Sequence, residues 1–139
     1  MLAGSVIGVQ IGELAAAVGV STKALRVWET AGILIPLRSS SGYREYPADA
    51  VEVARFVRRA QDAGFTLVEI AGIVAIRAGG DAPCAHVGAL IAGHLDEIET
   101  RLRELRALRA DLRGLAERAE RIDPGECPPE AVCQILNDR

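Results

Sequence analysis

From Ala85 to Glu120 the chain contains no proline, and apolar side chains recur at Val87, Ile91, Leu95, Ile98, Leu102, Leu105, Leu108, Leu112 and Leu115. Those steps are threes and fours, the period of one face of an α-helix. At about 1.5 Å per residue the segment would span roughly 50 Å. The whole chain has 139 residues, and about 20 come after Glu120. That is too little mass to fold back and cover one face of so long a rod, so an internal hairpin is a poor solution. A second copy of the chain is the economical one. The narrow stripe, flanked by the oppositely charged pairs Glu97–Arg101 and Glu99–Arg103, suits a two-stranded coiled coil. An extra three-residue step at Leu105–Leu108 makes the heptad register slip once.

The length allows one modest core plus this extension. Net charge is −3, so there is no bulk basic signature for nucleic acid. Residues 1–75 carry seven basic and seven acidic side chains, and residues 76–139 carry nine and twelve, which places the whole acidic excess in the second part. Only Lys23 among the 16 cations is not arginine, a bias suited to bidentate phosphate contacts. The opening MLAGSVIGVQ lacks a basic n-region, Glu13 interrupts the apolar run, and no stretch approaches a membrane span. The expectation is a cytoplasmic protein that does not contact membrane. Three cysteines, an odd number for a reducing compartment, argue against a disulfide framework and leave metal or redox chemistry open. No GxSxG, GKS/T or HExxH pattern is present, so an enzyme has little support.

Residues 1–9 read as a disordered or strand-like lead. Ile11 to Val18 forms a short helix stopped at Gly19; Ser21 and Thr22 are good caps for a second helix to about Thr30, and Gly32 ends it. Helix, tight turn, helix is the helix-turn-helix spacing, although a plain helical hairpin has the same outline. Ile33–Leu37, broken by Pro36, reads as an edge strand or extended arm. Arg38 to Tyr46 places a Ser/Gly turn between Arg38 and Tyr43-Arg44-Glu45-Tyr46, the pattern of a two-stranded wing or of a solvated hairpin. Asp49–Asp62 is a third helix, with Val53, Phe56 and Val57 expected inward and Arg55, Arg58 and Arg59 outward. Thr66 caps a fourth, whose inner face is Leu67, Ile70, Ile73 and Val74. Major-groove contacts would come from Ser21, Thr22, Lys23 and Arg26 at the start of the second helix. Arg38, Tyr43 and Arg44, with Arg55 and Arg58, are candidates for phosphates.

Gly79, Gly80 and Pro83 break the fourth helix, and Cys84 falls in the first turn of the long one, where the helix dipole favours a thiolate. After the turn Asp123-Pro124-Gly125, Cys127-Pro128-Pro129 is a rigid loop, and Glu130–Leu136 is a candidate terminal helix carrying Cys133, with Val132, Ile135 and Leu136 as its apolar side. Cys127 and Cys133 are equally readable as a chelating pair, as small buried hydrophobes or as a reversible disulfide.

Ile11-Gly12-Glu13-Leu14-Ala15, Arg26-Val27-Trp28-Glu29-Thr30-Ala31-Gly32-Ile33-Leu34, Gly42-Tyr43-Arg44-Glu45-Tyr46, Asp49 to Phe56 and Ala63 to Ile70 together resemble the winged-helix head of the MerR family of transcriptional regulators over about residues 10–75. Val27-Trp28 departs from the family's usual Tyr or Phe pair; Trp28 keeps a hydrogen-bond donor and joins the candidate DNA contacts. The resemblance implies a mainly α fold: a winged helix-turn-helix DNA-binding domain at 1–76, a hinge at 77–83, a dimerisation helix at 84–120 forming an antiparallel coiled coil, and a metal-binding loop and terminal helix at 121–139.

It also implies a metal-sensing homodimer. Cys84 resembles the helix-start ligand of family members that respond to Zn, Cd, Pb or Hg, whereas copper(I) sensors usually carry Ser there, and Cys133-Gln134-Ile135-Leu136 resembles the ending of the divalent sensors. Antiparallel pairing would bring Cys84 of one chain to Cys127 and Cys133 of the other, three thiolates suited to a soft ion. His86 or Glu126 is a candidate fourth ligand. In the family the first loop cysteine stands near the end of the long helix, about where Ala119 lies here, so Cys127 departs from the pattern. The function implied is activation at an inverted repeat in a promoter whose −35 and −10 elements are too far apart for RNA polymerase until metal makes the dimer distort the DNA. Two other readings stand beside it: a thiol-based redox regulator using Cys127 and Cys133, and a metal-buffering coil without DNA binding.

Overall fold

The computed structural model describes residues 8–37 and 42–137. The lead at residues 1–7, Arg38 and the Ser39–Ser41 tip of the expected wing lie outside the described residues. The elements, in order, are β1 (Val9–Gln10), α1 (Ile11–Val18), α2 (Thr22–Thr30), β2 (Glu45–Tyr46), α3 (Ala50–Asp62), α4 (Leu67–Ala78), α5 (Cys84–Arg121) and α6 (Gln134–Asn137), with 3-10 turns at Pro124–Glu126 and Pro129–Ala131 between the last two. The protein is mainly α, as its periodicity predicts. The chain divides into two compact units, residues 1–90 and 91–139, with the boundary inside α5.

The helix ends of the first unit obey local chemistry. α1 stops where Gly19 takes φ 75°, a left-handed conformation that costs glycine nothing, and its N–H donates to the Ala15 carbonyl at 2.8 Å. Two residues later the Ser21 hydroxyl accepts from the Ala24 N–H at 3.1 Å and starts α2. α2 closes with the Ile33 N–H on the Trp28 carbonyl at 3.0 Å, which turns Ile33 and Leu34 back into the core. At α4 the Thr66 hydroxyl accepts from the Glu69 N–H at 3.2 Å, and the Glu69 carboxylate accepts from the Thr66 N–H at 2.9 Å, a reciprocal capping box.

β1 and β2 pair antiparallel, Val9 with Tyr46 and Gln10 with Glu45, and Leu37 bridges to Glu45 beyond them. The extended arm therefore returns to the base of the wing. The core beneath it joins Leu14, Leu25, Trp28, Ile33, Leu34, Tyr46, Val57 and Ile70. α3 packs chiefly on α1, and its buried residues are Ala50, Ala54, Val57 and Ala60. Of the residues expected inward, Val57 is fully buried and Val53 packs against the core, so the expectation is corrected only at Phe56. The buried face of α3 is mostly alanine, while Phe56 sits off that line, 37% exposed. It lines a shallow apolar groove with Val53, Ile73, Val74, Pro83 and Cys84.

α4 ends at Ala78, and Gly80 at φ 94° makes the turn toward α5. α5 runs 38 residues with none buried. Ile91, Leu95, Ile98, Leu102, Leu105, Leu108 and Leu112 remain between 38% and 62% exposed. The amphipathic stripe is present, and nothing among the described residues covers it. Of its flanking arginines, Arg103 donates to the Thr100 hydroxyl at 3.2 Å, a short-range contact in place of the expected ion pair with Glu99.

Candidate nucleic-acid interface and metal centre

The front of α2 presents Thr22, Lys23 and Arg26 to solvent. Ser21 is exposed too, but its hydroxyl is held as the helix cap. Trp28, expected among the DNA contacts from its motif, is only 2% exposed. Its indole is core, because it lies on the face of α2 shared with buried Leu25. The stabilising burial of so large a ring outweighs its use as a surface donor.

At the wing base Tyr43 and Arg44 are exposed. Arg44 Nη1 lies 3.4 Å from Oε2 of Glu29 on α2, and the buried Tyr46 hydroxyl donates to the same oxygen at 2.5 Å. Burial, then the hydrogen bond to Glu29, pushes the Tyr46 phenol up to about 12, against the opposing pull of Arg44 and Arg26. Tyr46 is therefore a donor at any physiological pH. Neither Glu29 nor Tyr46 stands out as a site residue in the sequence, since the link is tertiary and joins positions 17 residues apart.

On α3, Arg55 pairs with Glu52 at 2.9 Å on an exposed surface, which leaves it easily diverted. Arg58 Nη1 donates to the Val18 carbonyl at the C-terminus of α1 and stands 2.7 Å from where a Cβ on Gly19 would be. Its guanidinium is thus used as a helix cap, a role distinct from the phosphate contact expected of it.

Cys84 is exposed as the first residue of α5, behind Pro83, whose carbonyl accepts from the Val87 N–H at 2.9 Å. His86 Nε2 lies 3.9 Å from where a Cβ on Gly72 would be, so the ring lies along α4. In the second unit Cys127 is half-buried between the two 3-10 turns, the first of them held by the Asp123 carboxylate accepting from the Gly125 N–H at 2.9 Å. Cys133 is also half-buried, and its carbonyl accepts from Leu136 and Asn137 as α6 begins. The single terminal helix expected over Glu130–Leu136 is broken at Val132, which takes φ 55° and ψ −64° with the Cys133 N–H turned back onto the Ala131 carbonyl. This is a positive-φ γ-turn on a β-branched residue, a strained conformation. All three thiols are free. Among the described residues, no three His, Cys, Asp or Glu side chains of one chain are grouped to hold an ion.

A helix-turn-helix with a wing, continued by a long helix with an unpartnered apolar face, defines a DNA-binding regulator with an attached pairing element. Residues 9–75 match the family described as MerR HTH family regulatory protein, and residues 51–115 the family described as MerR, DNA binding. The chain is 34% identical over 119 residues to the heavy metal-dependent transcription regulator 2 of Rhizobium meliloti, covering 85% of this chain and 81% of that one. It is 32% identical over 121 residues to the mercuric resistance operon regulatory protein of Bacillus cereus, covering 86% and 92%. Among solved structures, the transcription regulator PbrR691 from Ralstonia metallidurans CH34 in complex with lead(II) superposes with a TM-score of 0.73 at 30% identity, covering 93% of this chain and 97% of that one. The chain belongs to the MerR family of helix-turn-helix transcriptional regulators. No helix among its described residues is long and apolar enough to cross a membrane.

Proposed function

We propose that this protein is a homodimeric regulator that activates transcription in response to a soft divalent metal ion. The observation that carries the reading is the placing of three free thiols on either side of an uncovered helix: Cys84 at its first residue, Cys127 and Cys133 after its last. Antiparallel pairing of two α5 helices along the Leu/Ile stripe brings the start of one beside the end of its mate. Cys84 of one chain and Cys127 and Cys133 of the partner subunit then form a thiolate set suited to Zn, Cd, Pb or Hg. The relatives with heavy-metal, mercuric and lead(II) descriptions support this chemistry.

In this reading the heads bind an inverted repeat in promoter DNA through Thr22, Lys23 and Arg26, with Arg44 and Tyr43 on the backbone. The dimer occupies the promoter with or without the ion. Tighter ion binding to one of two dimer states shifts the population toward the state that distorts the DNA for RNA polymerase.

Two sets of variants test it. Cys84→Ser, Cys127→Ser and Cys133→Ser should each lose the ultraviolet thiolate-to-metal band on titration with Cd or Hg and abolish metal-dependent transcription, while promoter binding persists. Arg26→Ala and Arg44→Ala should weaken promoter binding and leave metal uptake unchanged. Cysteine variants that bind and respond to metal normally would contradict the ligand assignment. Transcription assays against Zn, Cd, Pb, Hg, Cu and Co identify the ion.

A further inference from the structure

We infer that Glu29 is a positioning residue for DNA recognition: its single carboxylate oxygen ties Arg44 and Tyr46 of the wing base to α2, so that recognition helix and wing meet the duplex as one body. Three observations converge. Glu29 lies on α2 only three residues after Arg26, the exposed cation that the proposed function assigns to the major groove. Its Oε2 takes Arg44 at 3.4 Å and the Tyr46 hydroxyl at 2.5 Å. Its side chain is 17% exposed while that of Arg44 is 55% exposed, so the pair is anchored on the Glu29 side and open to solvent on the Arg44 side.

A carboxylate on a DNA-facing surface opposes phosphate through like charge. Here the charge is directed inward, onto two donors. Arg44 has more N–H groups than Glu29 can use, and its exposed edge remains available to a phosphate while the inner edge is held. Fixing one end of a long cation removes rotamer freedom before binding, which favours a phosphate at one place over phosphates at large. Each of the two hydrogen bonds has an ionised acceptor, which makes it stronger than a neutral pair. β2 is held in addition by β1 and Leu37, so Glu29 adds the connection across to the recognition helix.

The inference rests on the DNA-binding reading of the head. The test uses the full-length dimer, a duplex selected by the wild-type protein from a random library, and a scrambled duplex of the same length. Glu29→Gln keeps the shape and an acceptor for Tyr46 but gives up the charge on Arg44. Expected is an approximately tenfold loss of affinity for the selected duplex, with affinity for the scrambled one unchanged or raised. In an Arg44→Ala background, Glu29→Gln should have no further effect, because the residue it positions is gone. Glu29→Asp, which keeps the charge and shortens the reach, should show the same coupling and guards against a fold-specific failure of the Gln variant. A purely structural role predicts equal losses on both duplexes and in both backgrounds, and that result, or tighter binding of the selected duplex by Glu29→Gln, overturns the inference. A wild-type protein that selects no duplex overturns both this inference and the reading beneath it, whereas normal wild-type binding with an inert Glu29→Gln overturns this inference alone.

Discussion

In the head, Leu14, Leu25, Val57 and Ile70 have no exposed surface; along α5 beyond Leu90, Leu95, Ile98, Leu105 and Leu112 keep about half of theirs. The two regions are comparably rich in aliphatic residues and use them oppositely. The head buries apolar side chains within one chain, around helices of which α2 and α4 begin at side-chain caps and α1 stops at Gly19. The second unit carries most of a helix whose apolar stripe nothing among the described residues covers. A core that closes on itself specifies a fold, whereas a stripe that stays open specifies a partner. The thiols divide along the same line: Cys84 belongs to the first unit and the other two to the second.

The contrast can be broken most forcefully at Leu25. Leu25→Ala should destabilise the head by about 2–5 kcal/mol, in denaturant melts that do not depend on protein concentration. Leu105→Ala should leave the head's own transition in place and weaken self-association by about tenfold or more, equivalent to about 1.4 kcal/mol, read by sedimentation equilibrium. A Leu105→Ala variant that destabilises the monomer as Leu25→Ala does would erase the distinction. Thr66→Ala removes one arm of the α4 capping box and should cost about 1 kcal/mol, again independent of concentration.

The smallest effect concerns Tyr46. Its phenol titrates near 10.0 when free and about 12 in the fold, so the fold favours the protonated form. That contribution is complete below pH 10 and is lost as pH rises from about 10 through about 12. The stability difference between wild type and Tyr46→Phe should therefore be flat through neutral pH and shift against the wild type across that window; a flat difference throughout would contradict the buried Tyr46–Glu29 bond.

Much of the fold is legible in the residues alone, and the exceptions share a cause. Gly19, Ser21 and the Thr66–Glu69 spacing act within one turn of helix, so local sequence reveals them. The α5 stripe repeats often enough to be unmistakable. Trp28 is buried where a surface contact was expected, and Phe56 is partly exposed where a core position was expected, because local sequence does not say which face a neighbouring helix covers. On α3 the small alanines are more deeply buried than the aromatic ring. The Glu29–Tyr46–Arg44 link joins residues far apart in sequence, and the reversal at Val132 has no glycine to announce it. The cysteines are readable as chemistry; their joint use depends on a second chain, which no pattern within one chain expresses.

The central claim is that α5 pairs two chains so that each ion is held by both. It is tested most directly by mixing Cys84→Ser protein with Cys133→Ser protein, isolating the mixed dimer through a tag on each chain, and counting tightly bound Cd per dimer. Neither parent dimer should hold an ion in a complete three-thiolate site. The mixed dimer should hold one, because one of its two ends combines an intact Cys84 with an intact Cys127 and Cys133 from the other chain. A mixed dimer that holds none would contradict the account.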